Sequence, residues 1–300
     1  MAEWSPERYV ATMAGPVLNP SAVRRVYRRF RDVGEWANLQ VREASAGQRA
    51  LPAFLLIGAQ KGGTTSLFHY LGQHPAFVPA YEKEVNFFAA HYGRGEAWYR
   101  ANFPLQATLD RVSERLDEGA MTGDATTWYL DHPLAPARAA ALLPDAKIVA
   151  LLRDPVRRAV SHYHHAVAYG LEDAPTFEEA LALEPQRLAL EGSFAGPHHR
   201  HRSYRARGCY AEQLERWFSA FPREQVLVLG AHELRSNSRA TLDRVCAFVG
   251  LTPIQGAVNF TRHNSRRYAP QPASVIDALR GFYEPHNARL FSLLGREFPW

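Results

Sequence analysis

FLLIGAQKGGTTSLFHYL, residues 54–71, decides how this chain folds. Phe54, Leu55, Leu56 and Ile57 form a short apolar run suited to a fully buried strand. The run stops at a glycine-rich turn with a single lysine, Lys61, and passes into an amphipathic stretch with helical spacing. Gly58, Gly62 and Gly63 permit close backbone approach, and Thr64, Thr65 and Ser66 place hydroxyls where the helix begins. A strand, a tight loop and a helix N-terminus in this order make an anion cradle, because free N–H groups and the positive end of the helix dipole face one point.

The position of the lysine narrows the anion. In the ATP- and GTP-binding loop G-x-x-x-x-G-K-[ST], lysine follows the second glycine and the next hydroxyl holds Mg²⁺. Here Lys61 precedes Gly62-Gly63, so the cradle is kept and the Lys-Ser/Thr pair is lost. That order argues against an ordinary ATPase or kinase. Glycine-rich turns also serve simply to pack a helix on a sheet, but the lysine and the run of hydroxyls favour a ligand.

The chain has 300 residues with 46% apolar content, enough for one large α/β core. From residue 51 short apolar runs alternate with longer amphipathic ones, which implies a central parallel sheet with crossover helices. Further strands are expected at residues 147–152 and 226–229, and helices at 156–169, 238–248 and 273–282, with Gly250 as a stop. Thr176 and Glu179 have capping-box spacing ahead of the helix EEALAL. Helical patches at residues 6–13 and 21–36 precede this pattern, so the expected organisation is an N-terminal helical extension over 1–50 and one P-loop-like α/β domain over 51–300.

Charge and special residues bound the function. Residues 1–50 lack the apolar core of a signal peptide or membrane anchor, which points to a cytoplasmic protein without a transmembrane segment. Cys209 and Cys246, the two cysteines, give neither a disulfide framework nor a metal cluster and suit packing. The net charge of +5 and pI near 9.3 suit an anionic ligand without singling out nucleic acid. The basic tract HHRHRSYRAR, residues 198–207, reads slightly better as a solvated loop than as a holder of an anionic acceptor.

Three further segments carry candidate chemistry. RDPVRRAVSHYHH, residues 153–165, follows a buried strand, so Arg153 and Ser161 sit where open α/β sheets bind ligands. An arginine fork and a serine hydroxyl suit a second phosphate, whereas Arg157, Arg158, His162, His164 and His165 read mostly as a solvated helix face. In YEKEVNFF, residues 81–88, Glu84 lies between apolar and aromatic residues, a setting that suits a general base, with Glu82 as its competitor. TGDATTWYL, residues 122–130, brings Asp124 and Tyr129, and Asp124 either meets an acceptor or caps local backbone.

These segments together resemble sulfotransferases that use 3′-phosphoadenylyl sulfate (PAPS), especially bacterial carbohydrate-type and heparan sulfate-type enzymes. The Lys-Gly-Gly-Thr-Thr loop resembles their 5′-phosphosulfate loop, and R-x-P-x-x-R-x-x-S-x-Y, beginning at Arg153, matches their 3′-phosphate motif at every fixed position. The resemblance implies PAPS held by Lys61, Gly62, Gly63, Thr64, Thr65 and Ser66 at one end and by Arg153 and Ser161 at the other. It implies Glu84 as catalytic base, Lys61 as the cation on the bridging oxygen, and Asp124 with Tyr129 along the acceptor cleft. The heparan sulfate enzymes carry a lysine where Ala125 stands, which weakens the case for a glycosaminoglycan acceptor. RGCYAEQLERW, residues 207–217, is similar to a family segment that packs a helix on the sheet, with Trp217 and Phe218 in the core. RHNSRRYAP, residues 262–270, takes the place of a late loop that closes over the cofactor and offers Asn264, Ser265, Arg266, Arg267 and Tyr268. The last sixteen or so residues resemble the terminal helix of bacterial members. No metal is required by this arrangement, and the implied partner is a saccharide or other small-molecule acceptor rather than nucleic acid.

Two other readings compete. An ATP-dependent phosphotransferase has against it the displaced Lys61 and the want of a clear Mg²⁺-binding aspartate, since Asp154 is locked to Pro155. A polyanion-binding module built on residues 198–207 would have only Tyr204 as a stacking platform.

Overall fold

The computed structural model describes residues 38–191, 194, 196–263 and 268–300. The helical patches expected at 6–13 and 21–36, and Asn264, Ser265, Arg266 and Arg267, lie outside the described residues. In chain order the main elements are β1 (Phe54–Gly58), α1 (Thr64–Leu71), α2 (Gly95–Ala101), α3 (Gln106–Leu116), β2 (Gly123–Ala125), α4 (Ala135–Leu142), β3 (Lys147–Leu152), α5 (Pro155–Ala168), α6 (Phe177–Leu190), α7 (Pro197–His201), α8 (Tyr210–Ala220), β4 (Val226–Gly230), α9 (Ala231–Ser236), α10 (Ser238–Val249) and α11 (Ala273–Leu294).

The four strands form one parallel sheet in the order β2-β1-β3-β4. Every residue of β1 is buried, as a central strand covered on both faces requires. Side chains alternate between two cores. Leu55, Ile57, Ile148, Ala150, Val226 and Val228 face Phe87, Phe88, Tyr99, Tyr129 and Trp217. Phe54, Leu56, Val149, Leu151 and Leu229 face Leu67 and Leu71 of α1 and Leu242, Val245 and Cys246 of α10. A third apolar cluster joins α5, α6 and α11 through Tyr163, Phe177, Tyr204, Leu279 and Tyr283.

Local chemistry sets the helix ends. Asp154 caps α5, accepting from Val156 N at 2.9 Å and Arg157 N at 3.3 Å, and Pro155 occupies the first turn, where no N–H is missed. Thr176 Oγ1 accepts from Glu179 N at 3.2 Å to open α6. Gly250, at φ 91°, ends α10 in the left-handed conformation.

Three expectations need revision. The sheet has a further strand, β2, three residues long and too short to show a pattern. Helix α11 does not stop near residue 282 but runs to Leu294 through Pro285. Pro285 lies on the exposed side, so the carbonyl it frees is on the wet side, while Val275, Leu279, Tyr283 and Leu290 keep one buried stripe through it. Phe218 is only partly buried, packed under Arg223, whereas Trp217 is fully enclosed.

Candidate active site

The loop after β1 is shaped around its backbone. A Cβ at Gly62 would stand 2.3 Å from Leu151 O and 2.8 Å from Ala59 O, both main-chain atoms that cannot yield, so glycine is dictated there. Gly63, at φ 107°, is the N-cap of α1, and Lys61 adopts φ 68°, an uncommon left-handed conformation for a side-chain-bearing residue. The turn delivers Thr64, Thr65 and Ser66 to the first turn of α1 at the C-terminal edge of the sheet. Ser66 Oγ accepts from His263 N at 3.1 Å, and Tyr70 O–H donates to Phe260 O at 3.1 Å, which ties the segment before residue 264 to α1.

Arg153 leaves β3 beside this loop. Its Nη1 donates to Lys61 O at 3.0 Å, and its own carbonyl accepts from Tyr210 O–H at 2.8 Å. Burial, together with the neighbouring Arg235 charge, lowers its pKa. Its Nε is buried and has no hydrogen-bond partner among the described residues, an unsatisfied donor of the kind native interiors keep rare. Ser161, one and a half turns along α5, is buried with Oγ 3.4 Å from Tyr268 O–H, and the Tyr268 ring stacks on His164 at 4.3 Å.

Glu84 arrives from the other side. It and Asn86 have left-handed backbones, at φ 65° and 56°, and β2 holds them there. Glu84 N donates to Ala125 O at 3.0 Å, and Asn86 N donates to Thr126 Oγ1 at 3.2 Å. Thr127 N donates to Glu84 Oε2 at 2.9 Å, and Lys83 Nζ lies 2.6 Å from Oε1. The carboxylate is therefore not in the apolar surroundings that its sequence neighbours suggested: Val85, Phe87 and Phe88 turn into the core, while Glu84 stays 36% exposed among polar donors.

Lys61 to Ser66, Lys83, Glu84, Asn86, Thr127, Arg153, Ser161 and Tyr268 all line one cleft of about 640 Å³. Asp124 and Tyr129 do not. Both are fully buried beneath it: Asp124 Oδ2 accepts from Tyr129 O–H at 2.8 Å and Tyr99 O–H at 3.1 Å, and Oδ1 accepts from Thr126 Oγ1 at 2.7 Å. Burial pushes the Asp124 pKa up to about 6 against those hydrogen bonds. The expected acceptor pair instead lies beneath the Glu84 loop, because β2, although an edge strand, is buried at every residue.

The basic segments also behave differently from a solvated face. Arg158 and His162 are buried in α5, with Nη1 3.4 Å from Nδ1, and Arg158 Nη2 donates to Tyr204 O. Burial and the Arg158 charge hold His162 well below the usual histidine range. Residues 198–207 are no solvated loop either: Ser203, Tyr204 and Arg207 are buried, and Arg200, His201 and Arg207 line the cleft. Sequence reasoning missed Arg207 as a site residue, and the one available signal was its placement just before the Gly208-Cys209-Tyr210 turn. Among the described residues no group of three or more His, Cys, Asp or Glu is placed to hold a metal ion, and no helix is long and apolar enough to cross a membrane.

A parallel α/β sheet with a glycine-lysine anion loop at one strand end and a guanidinium and hydroxyl at the next defines a P-loop-like enzyme of group transfer. The chain belongs to the sulfotransferase family: the family model for the sulfotransferase domain matches residues 51–268, and the PAPS-dependent class expected from its motifs stands. It is 31% identical over 280 residues to human heparan sulfate glucosamine 3-O-sulfotransferase 3B1, covering 86% of this chain and 67% of that protein. It is also 31% identical to human bifunctional heparan sulfate N-deacetylase/N-sulfotransferase 2, over 82% of this chain but 30% of that protein. The chain thus spans about two thirds of the first relative and less than a third of the second. Among solved structures, a sulfotransferase from Alicyclobacillus acidocaldarius matches with a TM-score of 0.66 and 29% identity, covering 83% of this chain and 98% of that one.

Proposed function

We propose that this protein transfers the sulfuryl group of PAPS to a hydroxyl or amine of a saccharide or other small-molecule acceptor. The observation that carries the reading is the meeting, in one cleft, of the Lys61–Ser66 cradle, the Arg153 and Ser161 pair, and Glu84. The domain that does this is residues 51–300, with 1–50 as an extension to it.

In this reading the backbone amides and hydroxyls of Gly62 to Ser66 hold the 5′-phosphosulfate, as a helix N-terminus with a glycine turn favours. Arg153 presents its unsatisfied Nε edge, and Ser161 its hydroxyl, to the 3′-phosphate. Glu84, one oxygen fixed by Thr127 N–H, takes the proton from the acceptor as its oxygen or nitrogen bonds to sulfur. The bond from sulfur to the bridging oxygen breaks, and the electron pair leaves on the 5′-phosphate of adenosine 3′,5′-bisphosphate. The Lys61 ammonium steadies that charge. The late loop, with Asn264, Ser265, Arg266, Arg267 and Tyr268, completes the donor side.

Glu84→Gln tests the assignment. Its affinity for adenosine 3′,5′-bisphosphate is expected to stay within about twofold of wild type while transfer from labelled PAPS to an acceptor panel falls by about 10²-fold or more. Unchanged transfer removes Glu84 from the mechanism. Calorimetry that shows tighter binding of ATP with Mg²⁺ than of adenosine 3′,5′-bisphosphate overturns the donor.

A further inference from the structure

Arg207 is a buried cation on the wall of the cleft, and its surroundings leave it short of negative charge. Only 5% of its surface is exposed. Its Nη1 donates to Gln60 Oε1 at 2.9 Å, the side chain just before Lys61, and its Nε lies 3.2 Å from Asp131 Oδ2. Its Nη2 is buried and has no hydrogen-bond partner among the described residues. Asp131 is shared, since its charge also answers Arg158 and Arg216. The neighbouring Arg158 and Arg200 add positive charge, while Glu84, across the cleft, is the other carboxylate that favours the charged guanidinium. His201, lining the same cleft, is pushed down to about 4 by burial and by Arg200 and Arg207, so it stays neutral at physiological pH. A buried guanidinium with a spare donor and a part share of one carboxylate has the charge and the hydrogen-bonding capacity to hold an anion.

The place of this site in the cleft identifies the anion. Arg153 and Ser161 stand at the 3′-phosphate end, and the loop amides take the 5′-phosphate. Arg207 is fastened to Gln60, which precedes Lys61 in the chain as those amides follow it, and it lines the same cleft as Glu84, whose charge it feels. We propose that Arg207 is a catalytic residue that donates to the oxygens of the sulfuryl group in transit, with Lys61 acting on the bridging oxygen. This rests on the donor reading given above. The sulfuryl group carries its charge on oxygens that a planar guanidinium matches well, and a donor fixed in a water-poor wall needs no reorganisation as transfer proceeds. The guanidinium comes from the turn after α7 rather than from β2, where Ala125 has no charge to offer.

PAPS and adenosine 3′,5′-bisphosphate differ by the sulfuryl group alone, so comparing them separates a contact to that group from support of the loop. For Arg207→Gln, titrated in the cold without acceptor, affinity for PAPS is expected to fall about tenfold and affinity for adenosine 3′,5′-bisphosphate less than about twofold. Single-turnover release of sulfate from bound PAPS is expected to fall by about 10²-fold. Arg207→Gln with Asp131→Asn removes both members of the ion pair and is expected to show the same split if the single variant fails to fold. Equal loss for both nucleotides, or no loss for either, overturns the proposal. If the wild-type protein binds neither nucleotide in a manner that depends on Lys61 and Arg153, the donor reading falls first and this inference with it.

Discussion

Gly62 and Asp124 show how single residues shape the site through backbone space and buried charge. Gly62→Ala drives a methyl into Leu151 O and Ala59 O, so it is expected to destabilise the fold by about 1–3 kcal/mol and to abolish binding of adenosine 3′,5′-bisphosphate. Gly63→Ala meets nothing closer than 3.6 Å, and its φ of 107° alone costs about 1–2 kcal/mol. Denaturant titrations of the two variants separate steric clash from backbone strain. At Asp124 the folded-state pKa of about 6 lies above the ordinary 3.8. The stability contributed by its protonated form is therefore full below pH 3.8 and lost as pH rises through 6, a change of about 3 kcal/mol. Asp124→Asn cannot ionise, so its stability relative to wild type should improve by about that amount between pH 4 and pH 7, as measured by urea unfolding at each pH. Gly62 and Gly63 were legible in the sequence because close backbone approach and a positive φ call for glycine, and Lys61 because it is the one cation in that turn. Arg158, His162 and Arg207 were not, since a charged residue is buried only by partners such as Asp131 and Tyr204 that lie far away in the chain.

At the scale of elements, legibility followed the length of the apolar run. Strands β1, β3 and β4 are buried on both faces and read as continuous hydrophobic stretches. Strand β2, Gly-Asp-Ala, exists because β1 offers a free edge to pair with, and no local propensity announces it. Its consequence is large, because the Glu84 loop hangs from Ala125 O, Thr126 Oγ1 and Thr127 N. Likewise, the segment 258–263 is held to α1 by Tyr70 O–H on Phe260 O and Thr261 O, by Ser66 Oγ, and by the His69 and His263 stack at 4.0 Å. Tyr70→Phe keeps the ring, which packs edge-on against Phe260 at 5.0 Å, and removes only the hydroxyl donor. It is expected to lower stability by about 1 kcal/mol and to raise hydrogen exchange at residues 260–263 while exchange in β1 and β3 stays as in wild type.

For the whole molecule, the parallel sheet sends the C-terminal ends of β1 and β3 to one edge, and Lys61, Arg153, Arg207 and Arg235 gather positive charge in the cleft there. Arg153 donates to Lys61 O, so the β3 site and the β1 loop form one unit, which in the proposed reading a doubly phosphorylated ligand clamps at both ends. Such a ligand binds the folded chain and not the unfolded one. At about a hundred times its dissociation constant it adds roughly 2.7 kcal/mol to stability. For a domain of this size each kcal/mol raises the melting temperature by about 2–4 °C, giving roughly 5–10 °C. Adenosine 3′,5′-bisphosphate is expected to produce that rise in differential scanning calorimetry. Adenosine 5′-monophosphate at the same concentration should give less than half of it, because the Arg153 end is left empty. Arg153→Ala should reduce the two ligands to the same small rise. An equal, full rise with both nucleotides on the wild-type protein would mean that the second phosphate is not held by Arg153 and Ser161, and that the two strand ends do not act as one clamp.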